Sequence, residues 1–184
     1  MGEAMQPGAA RRTRAEIVAL ILVLLGLAAV MVPVLTRTYQ TSLTLRCRQQ
    51  LSVLFTAVQS YALGCDGRLP GRDWQERIGS LLEAQDAAAG RSARVWRCPV
   101  GGGYVGNGKV FGHASRGLAA FQLKLEVGLI ADGTARCGGG GLGDADCIDW
   151  RHRGGANVVF LDGHVEWAPQ AKGERVRRHW NHPQ

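Results

Sequence analysis

From Ile17 to Leu35 the chain runs nineteen residues without a charged side chain. A helix of that length rises about 28 Å, close to the hydrocarbon thickness of a bilayer. This run sets the class of the chain, a single-pass membrane-anchored protein. Arg11, Arg12 and Arg14 precede it and only Arg37 follows closely. That bias puts the N-terminus in the cytoplasm and the C-terminal part outside. A cleaved signal competes with this reading. Its apolar core is usually about 7 to 15 residues and closes on a small-residue site, which Val32-Pro33-Val34-Leu35-Thr36-Arg37 does not offer. Glu16 stands at the start of the span, where the helix dipole favours a carboxylate and the arginines can pair with it. Pro33, seventeen residues later, removes a backbone hydrogen bond and predicts a bend as the helix leaves the bilayer.

Past Thr36, Cys47, Leu51, Leu54, Phe55, Val58, Tyr61 and Ala62 recur at steps of three and four, the pattern of a helix with one buried stripe. No Gly or Pro interrupts Thr36 to Leu63, and Gly64 through Pro70 supplies the stop. The spacing therefore predicts one helix of about 45 residues, half in lipid and half against a folded domain. A second helix is predicted over Trp74 to Ala89 behind an Asp73 cap. From Val95 onward, short apolar stretches broken by Gly101 to Gly103 and Gly138 to Gly141 predict loops and antiparallel strands. The clearest of these is a β-hairpin over 156–167 turning at Asp162-Gly163, a preferred two-residue turn. That register pairs Leu161 with His164, Phe160 with Val165 and Val158 with Trp167, and puts Phe160, Val165, Val158 and Trp167 on the core side. The fold class is α+β. In chain order it comprises a basic cytoplasmic leader (1–16), a transmembrane helix (17–35), its amphipathic continuation (36–63), an extracytoplasmic domain (64–170) and a basic flexible tail (171–184).

Five cysteines all follow the apolar run, in a compartment where disulfides persist if the orientation is right. Two bridges and one free thiol is the simplest count. Cys137 and Cys147 flank a glycine run and are natural partners; a bridge closing so short a loop contributes about 2 to 3 kcal/mol. Cys47, Cys65 and Cys98 compete for the second. Asp144, Asp146 and Asp149 bunch in a glycine-rich loop and are the candidate calcium ligands, although the twelve-residue loop with a terminal Glu is missing. No other cofactor is indicated, and no metal site has a recognised ligand spacing. His152, His164 and Asp162 can be drawn as a metal triad, but no His-Glu-x-x-His or Gly-x-Ser-x-Gly accompanies them, and the chain is read as non-catalytic. The net charge of +7 is scattered and carries no nucleic-acid reading motif, so lipid headgroups or solvent are the expected neighbours.

Nine residues separate His152 from Asp162-Gly163, within Arg151-His-Arg-Gly-Gly-Ala-Asn-Val-Val-Phe-Leu-Asp-Gly-His-Val165. Upstream stand the Cys-containing helix Leu45 to Tyr61, then Gly67-Arg68-Leu69-Pro70 ahead of Trp74 and Leu81-Leu82-Glu83, then Arg97-Cys98-Pro99 and Asp132-Gly133-Thr134. In these segments the chain resembles the prepilin-like proteins with a C-terminal His, nine residues, Asp-Gly signature, a planctomycete-type group related to type II secretion pseudopilins. The resemblance implies a pilin-like fold, a long helix packed on a C-terminal antiparallel sheet. It also implies a structural or assembly role in a type II secretion or type IV pilus-like machine, held in the inner (cytoplasmic) membrane with a periplasmic or otherwise extracytoplasmic domain, with sibling subunits and secretion-machinery proteins as partners. Glu16 and Pro33 match the family's positions, and Glu16 would set helix register. His152 would orient the Asp162-Gly163 turn by hydrogen bonding. One position departs. The family's leader ends in a Gly placed so that the Glu is fifth in the mature chain, whereas this chain has Arg11-Arg12 there and its nearest upstream glycine is Gly8. The resemblance therefore does not carry prepilin peptidase over as a partner. The competing expectation is an anchored binding module that does not polymerise, using His152, Asp162, His164 and the acidic loop.

Overall fold

The structure, a computed structural model, describes residues 7–86, 95–111, 126–134, 137 and 141–181, with the side chains of 7–13 and 85–86 outside that description. The start of the leader, the side chains of Arg11 and Arg12, the end of the expected second helix at 87–89 and glycines 138–140 thus lie outside the described residues. The chain divides into two compact units, Met1–Thr41 and Ser42–Gln184.

Helix α1 spans Pro7–Gly64. In the first unit its apolar side chains are exposed on every side, from Ile17 and Val18 through Leu22 and Val23 to Val34 and Leu35, and the segment is long and apolar enough to cross a membrane. The helix continues through Pro33; just beyond it Thr36 Oγ1 donates to the Val32 and Pro33 carbonyls.

In the second unit α1 buries the expected stripe: Cys47, Leu51, Leu54, Phe55, Val58 and Ala62 are buried and Tyr61 is half-buried. The helix stops where Asp66 and Gly67 take positive φ and the Gly67 amide donates back to the Ala62 carbonyl, the glycine-assisted end expected of this segment. Helix α2, Trp74–Asp86, buries Trp74, Ile78 and Leu82. Trp74 stacks on Phe111 at 5.0 Å and meets the Trp96 edge at 5.5 Å. Asp73 precedes the helix, and its carboxylate accepts from Arg77 Nε at 2.6 Å.

Five strands follow: β1 Gly103–Asn107, β2 Gly128–Gly133, β3 Leu142–Gly143, β4 Gly155–Phe160 and β5 Val165–Pro169. They form one sheet in the order β3-β1-β2-β4-β5. The sheet is mixed rather than antiparallel, because the two-residue β3 lies parallel to β1. β3 sits inside the loop closed by the Cys137–Cys147 disulfide, which holds it along an otherwise open edge. β4 is buried at all six positions, the signature of a strand covered on both faces. On one face Val159, Tyr104, Leu129 and Ile130 pack with α1 and α2; on the other Val105, Ala131, Val158, Phe160 and Ala168 pack with Val176 and Trp180.

The hairpin exists, but its register is one residue away from the expected one. Val159 faces Val165, Val158 faces Glu166 and Asn157 faces Trp167. The cause is the turn. The Gly163 amide donates to the Phe160 carbonyl and the Phe160 amide to the His164 carbonyl. Gly163 has φ +90° while Asp162 keeps a negative φ. This is a three-residue loop with a glycine bulge, which uses the same Asp-Gly pair as the two-residue turn. The slip sends Val158 and Phe160 to the opposite face from Val165.

As far as Asn181 the basic tail is helical rather than frayed. Gln170–Lys172 is a short 3-10 turn, and helix α3 spans Gly173–Asn181. Val176 and Trp180, one turn apart, are buried, with Trp180 fully enclosed. Trp180 Nε1 donates to the Gly143 carbonyl at 3.1 Å, and Asn107 Nδ2 donates to the Trp180 carbonyl at 3.0 Å. Burying those two side chains offsets the cost of ordering a charged helix.

Candidate functional site

Among the described residues, the fold brings together the metal-ligating side chains of Cys47, Cys98, Asp132 and His152, all buried. Cys47 belongs to the buried stripe of α1, and Cys98 lies in the segment after Trp96, tied down by its amide donating to the Gly102 carbonyl. Asp132 sits on β2, and its neighbours in the sheet are Tyr104 on β1 and the start of β4. His152 is presented by a tight turn. The His152 and Gly155 amides each donate to the other's carbonyl, and the central residues Arg153 and Gly154 have φ of +55° and +74°, the pattern of a type I′ turn. Holding Arg153 in the left-handed region costs on the order of 1 kcal/mol. In return the imidazole faces inward, and its backbone carbonyl accepts from Trp167 Nε1 at 2.8 Å.

A disulfide joins Cys47 to Cys98. His152 Nε2 lies 3.2 Å from Cys98 Sγ and 3.4 Å from Asp132 Oδ2, while Nδ1 lies 3.4 Å from Thr44 Oγ1 on α1. Because a disulfide sulfur can only accept, the Cys98 contact places a proton on Nε2, aimed at Sγ with the Asp132 carboxylate beside it. Asp132 is held from three directions. Its Oδ2 accepts from the Asn157 amide at 2.6 Å and from Asn157 Nδ2 at 3.0 Å, and its Oδ1 lies 3.4 Å from Arg151 Nη2. The same guanidinium donates to the Gly103 and Gly133 carbonyls and to Asp149, so one nearly buried cation compensates a fully buried carboxylate. Tyr104 donates to Gln50 Oε1 at 2.7 Å. Burial first, and the neighbouring Asp132 charge second, push its hydroxyl well above the ordinary tyrosine range, with Arg151 opposing.

The other expected site residues do not join this cluster. His152 is interior, its ring hydrogen-bonded to Thr44 and Cys98 and close to Asp132, so it does not orient the Asp162-Gly163 turn. That turn is held by Asp162 itself, whose Oδ1 accepts from the His164 amide at 3.0 Å and meets its ring. Asp162 and His164 are exposed, so an open site shared by His152, Asp162 and His164 is not formed. Gly163 is pressed against α1: a Cβ there would meet the Phe55 ring at 2.5 Å. The acidic loop is spoken for as well. Asp144 caps the 3-10 turn Ala145–Cys147, Asp146 pairs with Arg177 at 3.2 Å and Asp149 with Arg151 at 3.0 Å. Among the described residues these three carboxylates do not converge as a metal-ligand group, contrary to the calcium expectation. Cys137–Cys147 is bridged as expected, Cys47–Cys98 resolves the second pairing, and Cys65 is the free thiol. Glu16 and Pro33 lie on the exposed part of α1.

Asp132 is the residue whose role the sequence conceals. It stands out only within the Asp132-Gly133-Thr134 segment, and convergence of four residues from four separate segments leaves no local pattern. Comparison with protein-family models, with curated proteins and with solved structures yields no match to this chain.

Proposed function

We propose that this protein is a non-catalytic, pilin-like structural subunit, anchored by residues 17–35 with its N-terminus in the cytoplasm, and an assembly component of a type II secretion or type IV pilus-like system. The observation that carries this reading is the two-part use of one helix. Up to Thr41, α1 leaves apolar side chains exposed all round; from Ser42 the same helix supplies the central stripe of a sheet domain. A helix apolar on every side calls for lipid or for sibling helices, and a subunit that passes from membrane to filament meets both. Two disulfides agree with an exported domain. The internal use of Asp132, His152 and Arg151 supports a braced scaffold rather than an open reaction centre.

The test is a crosslinking scan in native membranes. In a Cys65→Ser background, single cysteines are introduced at successive positions from Ile17 to Leu35 and oxidised. Subunit packing gives crosslinked dimers at positions repeating every three to four residues. An anchored module that does not polymerise gives no periodic crosslinks at any position, and that result would overturn the proposal.

A further inference from the structure

Cys47 Sγ, Cys98 Sγ, a carboxylate oxygen of Asp132 and a ring nitrogen of His152 all lie within 4.8 Å of one another. We propose that, while its two cysteines are reduced, this cluster binds one zinc ion through Cys47, Cys98, Asp132 and His152. The ion would brace the same segments that the disulfide later joins.

The geometry and the donor chemistry agree. Tetrahedral zinc with bonds of about 2.3 Å to sulfur and about 2.0 to 2.2 Å to nitrogen and oxygen sets its ligands roughly 3.3 to 3.8 Å apart. His152 Nε2 already stands 3.4 Å from Asp132 Oδ2 and 3.2 Å from Cys98 Sγ. The gap that must open is the one between the two sulfurs, which cleavage of their bond releases. Thiolate and imidazole donors select against calcium and magnesium and suit zinc. Four protein ligands in a buried setting leave no position for substrate, the character of a structural site.

The surroundings supply the outer layer that such sites use. Once Nε2 gives its lone pair to the metal, the ring proton moves to Nδ1 and can be donated to Thr44 Oγ1, 3.4 Å away, which fixes the ring. Asn157 and Arg151 hold the Asp132 carboxylate. Two thiolates and one carboxylate around a divalent ion leave one negative charge, and Arg151 offsets it. An open groove lined in part by Arg46, Gln49, Arg97 and Cys98 borders the cluster at Cys98.

The balance of the two states is simple. Each thiol gives a proton to solvent as it binds zinc. When a disulfide-bearing oxidant later takes two electrons from the thiolates, a Cys47–Cys98 bond forms, the oxidant takes up two protons as a dithiol, and zinc leaves because two of its ligands are gone.

The experiment uses the full chain in detergent, reduced with a phosphine that is then removed anaerobically, and titrated with cobalt(II) as a spectroscopic probe and then with zinc. The expected result is thiolate-to-cobalt charge transfer with tetrahedral visible bands, saturating at one ion per chain, displaced by zinc and missing from the oxidised protein. Alkylation followed by peptide mass mapping locates the ion. Zinc should protect Cys47 and Cys98 from modification while Cys65, Cys137 and Cys147 react as before. Asp132→Asn, which keeps the side-chain shape, should weaken cobalt binding by about tenfold or more. Absence of the charge-transfer band from the reduced wild type, or zinc protection falling on Cys137 and Cys147 instead, overturns the proposal. The wild-type alkylation map decides the matter even if the variant does not fold.

Discussion

The two parts of α1 are both rich in leucine and valine, yet they meet opposite fates. Residues 17–35 carry apolar side chains all round and leave them exposed, whereas Cys47, Leu51, Leu54, Phe55 and Val58 are interrupted by Arg46, Arg48, Gln49 and Gln59 and are buried. The difference teaches that apolar content does not place a helix; its angular distribution does. A stripe needs one partner surface, and the sheet provides it. An apolar cylinder needs surroundings that are apolar in every direction.

The largest expected effect comes from making the same substitution in both parts. Leu54→Ala leaves a cavity between α1 and the sheet and should cost about 2 to 5 kcal/mol, read as a fall in the thermal midpoint of tryptophan near-ultraviolet circular dichroism. Leu22→Ala, on an exposed surface, should leave that midpoint unchanged. Equal shifts would break the comparison.

A charge reverses the asymmetry. Leu25→Arg near the middle of the apolar run should disfavour insertion by about 2.5 to 3.5 kcal/mol, read as release from the membrane fraction at alkaline carbonate extraction with the domain's thermal midpoint preserved. Retention equal to the wild type would remove residues 17–35 as the anchor.

Gly163 tests the buried part from the far side of its interface. It combines φ +90° with close approach to Phe55, so Gly163→Ala should cost about 1 to 3 kcal/mol. Most of that cost should disappear in the double variant with Phe55→Ala if contact dominates, and remain if backbone strain dominates. Denaturant unfolding of the four proteins of the cycle separates the two.

How far the sequence can be read follows from the same distinction between local pattern and long-range convergence. Both parts of α1, its glycine stop and the start of α2 are legible because each is written in contiguous residues. The hairpin is legible and its register is not, since Asp162-Gly163 serves a two-residue turn and a bulged three-residue loop equally well. Helix α3 escapes a pattern search because Val176 and Trp180 are its only large apolar residues among Glu174, Arg175, Arg177 and Arg178; their spacing of four is the available signal. The Cys47–Cys98 pairing and the Asp132–His152 contact join residues far apart in the chain, and only the folded sheet brings them together. His152 stands out through its signature, but its partner does not: sequence distance favours Asp162, whereas burial favours Asp132.

The smallest expected effect concerns the polar link between the buried part of α1 and the sheet. Tyr104→Phe removes the hydrogen bond to Gln50 and should cost about 0.5 to 1.5 kcal/mol at neutral pH. The pH dependence carries more information than that number. Burial and Asp132 raise the Tyr104 hydroxyl above its ordinary value, so the folded protein holds this proton more tightly than the unfolded chain does. Below pH about 10, the unfolded tyrosine value, both states are protonated and the contribution is constant. Above it the unfolded chain releases the proton and the folded one keeps it, so unfolding becomes progressively more favourable and stability falls as pH rises. The Tyr104→Phe variant has no proton to lose at this position, and the other tyrosines titrate alike in both proteins. The advantage of wild type over Tyr104→Phe should therefore shrink as pH rises above about 10, measured by denaturant unfolding at a series of alkaline pH values. A constant difference across that range would mean that Tyr104 ionises as an exposed tyrosine does, and that the interface between α1 and the sheet admits water where the buried stripe says it should not.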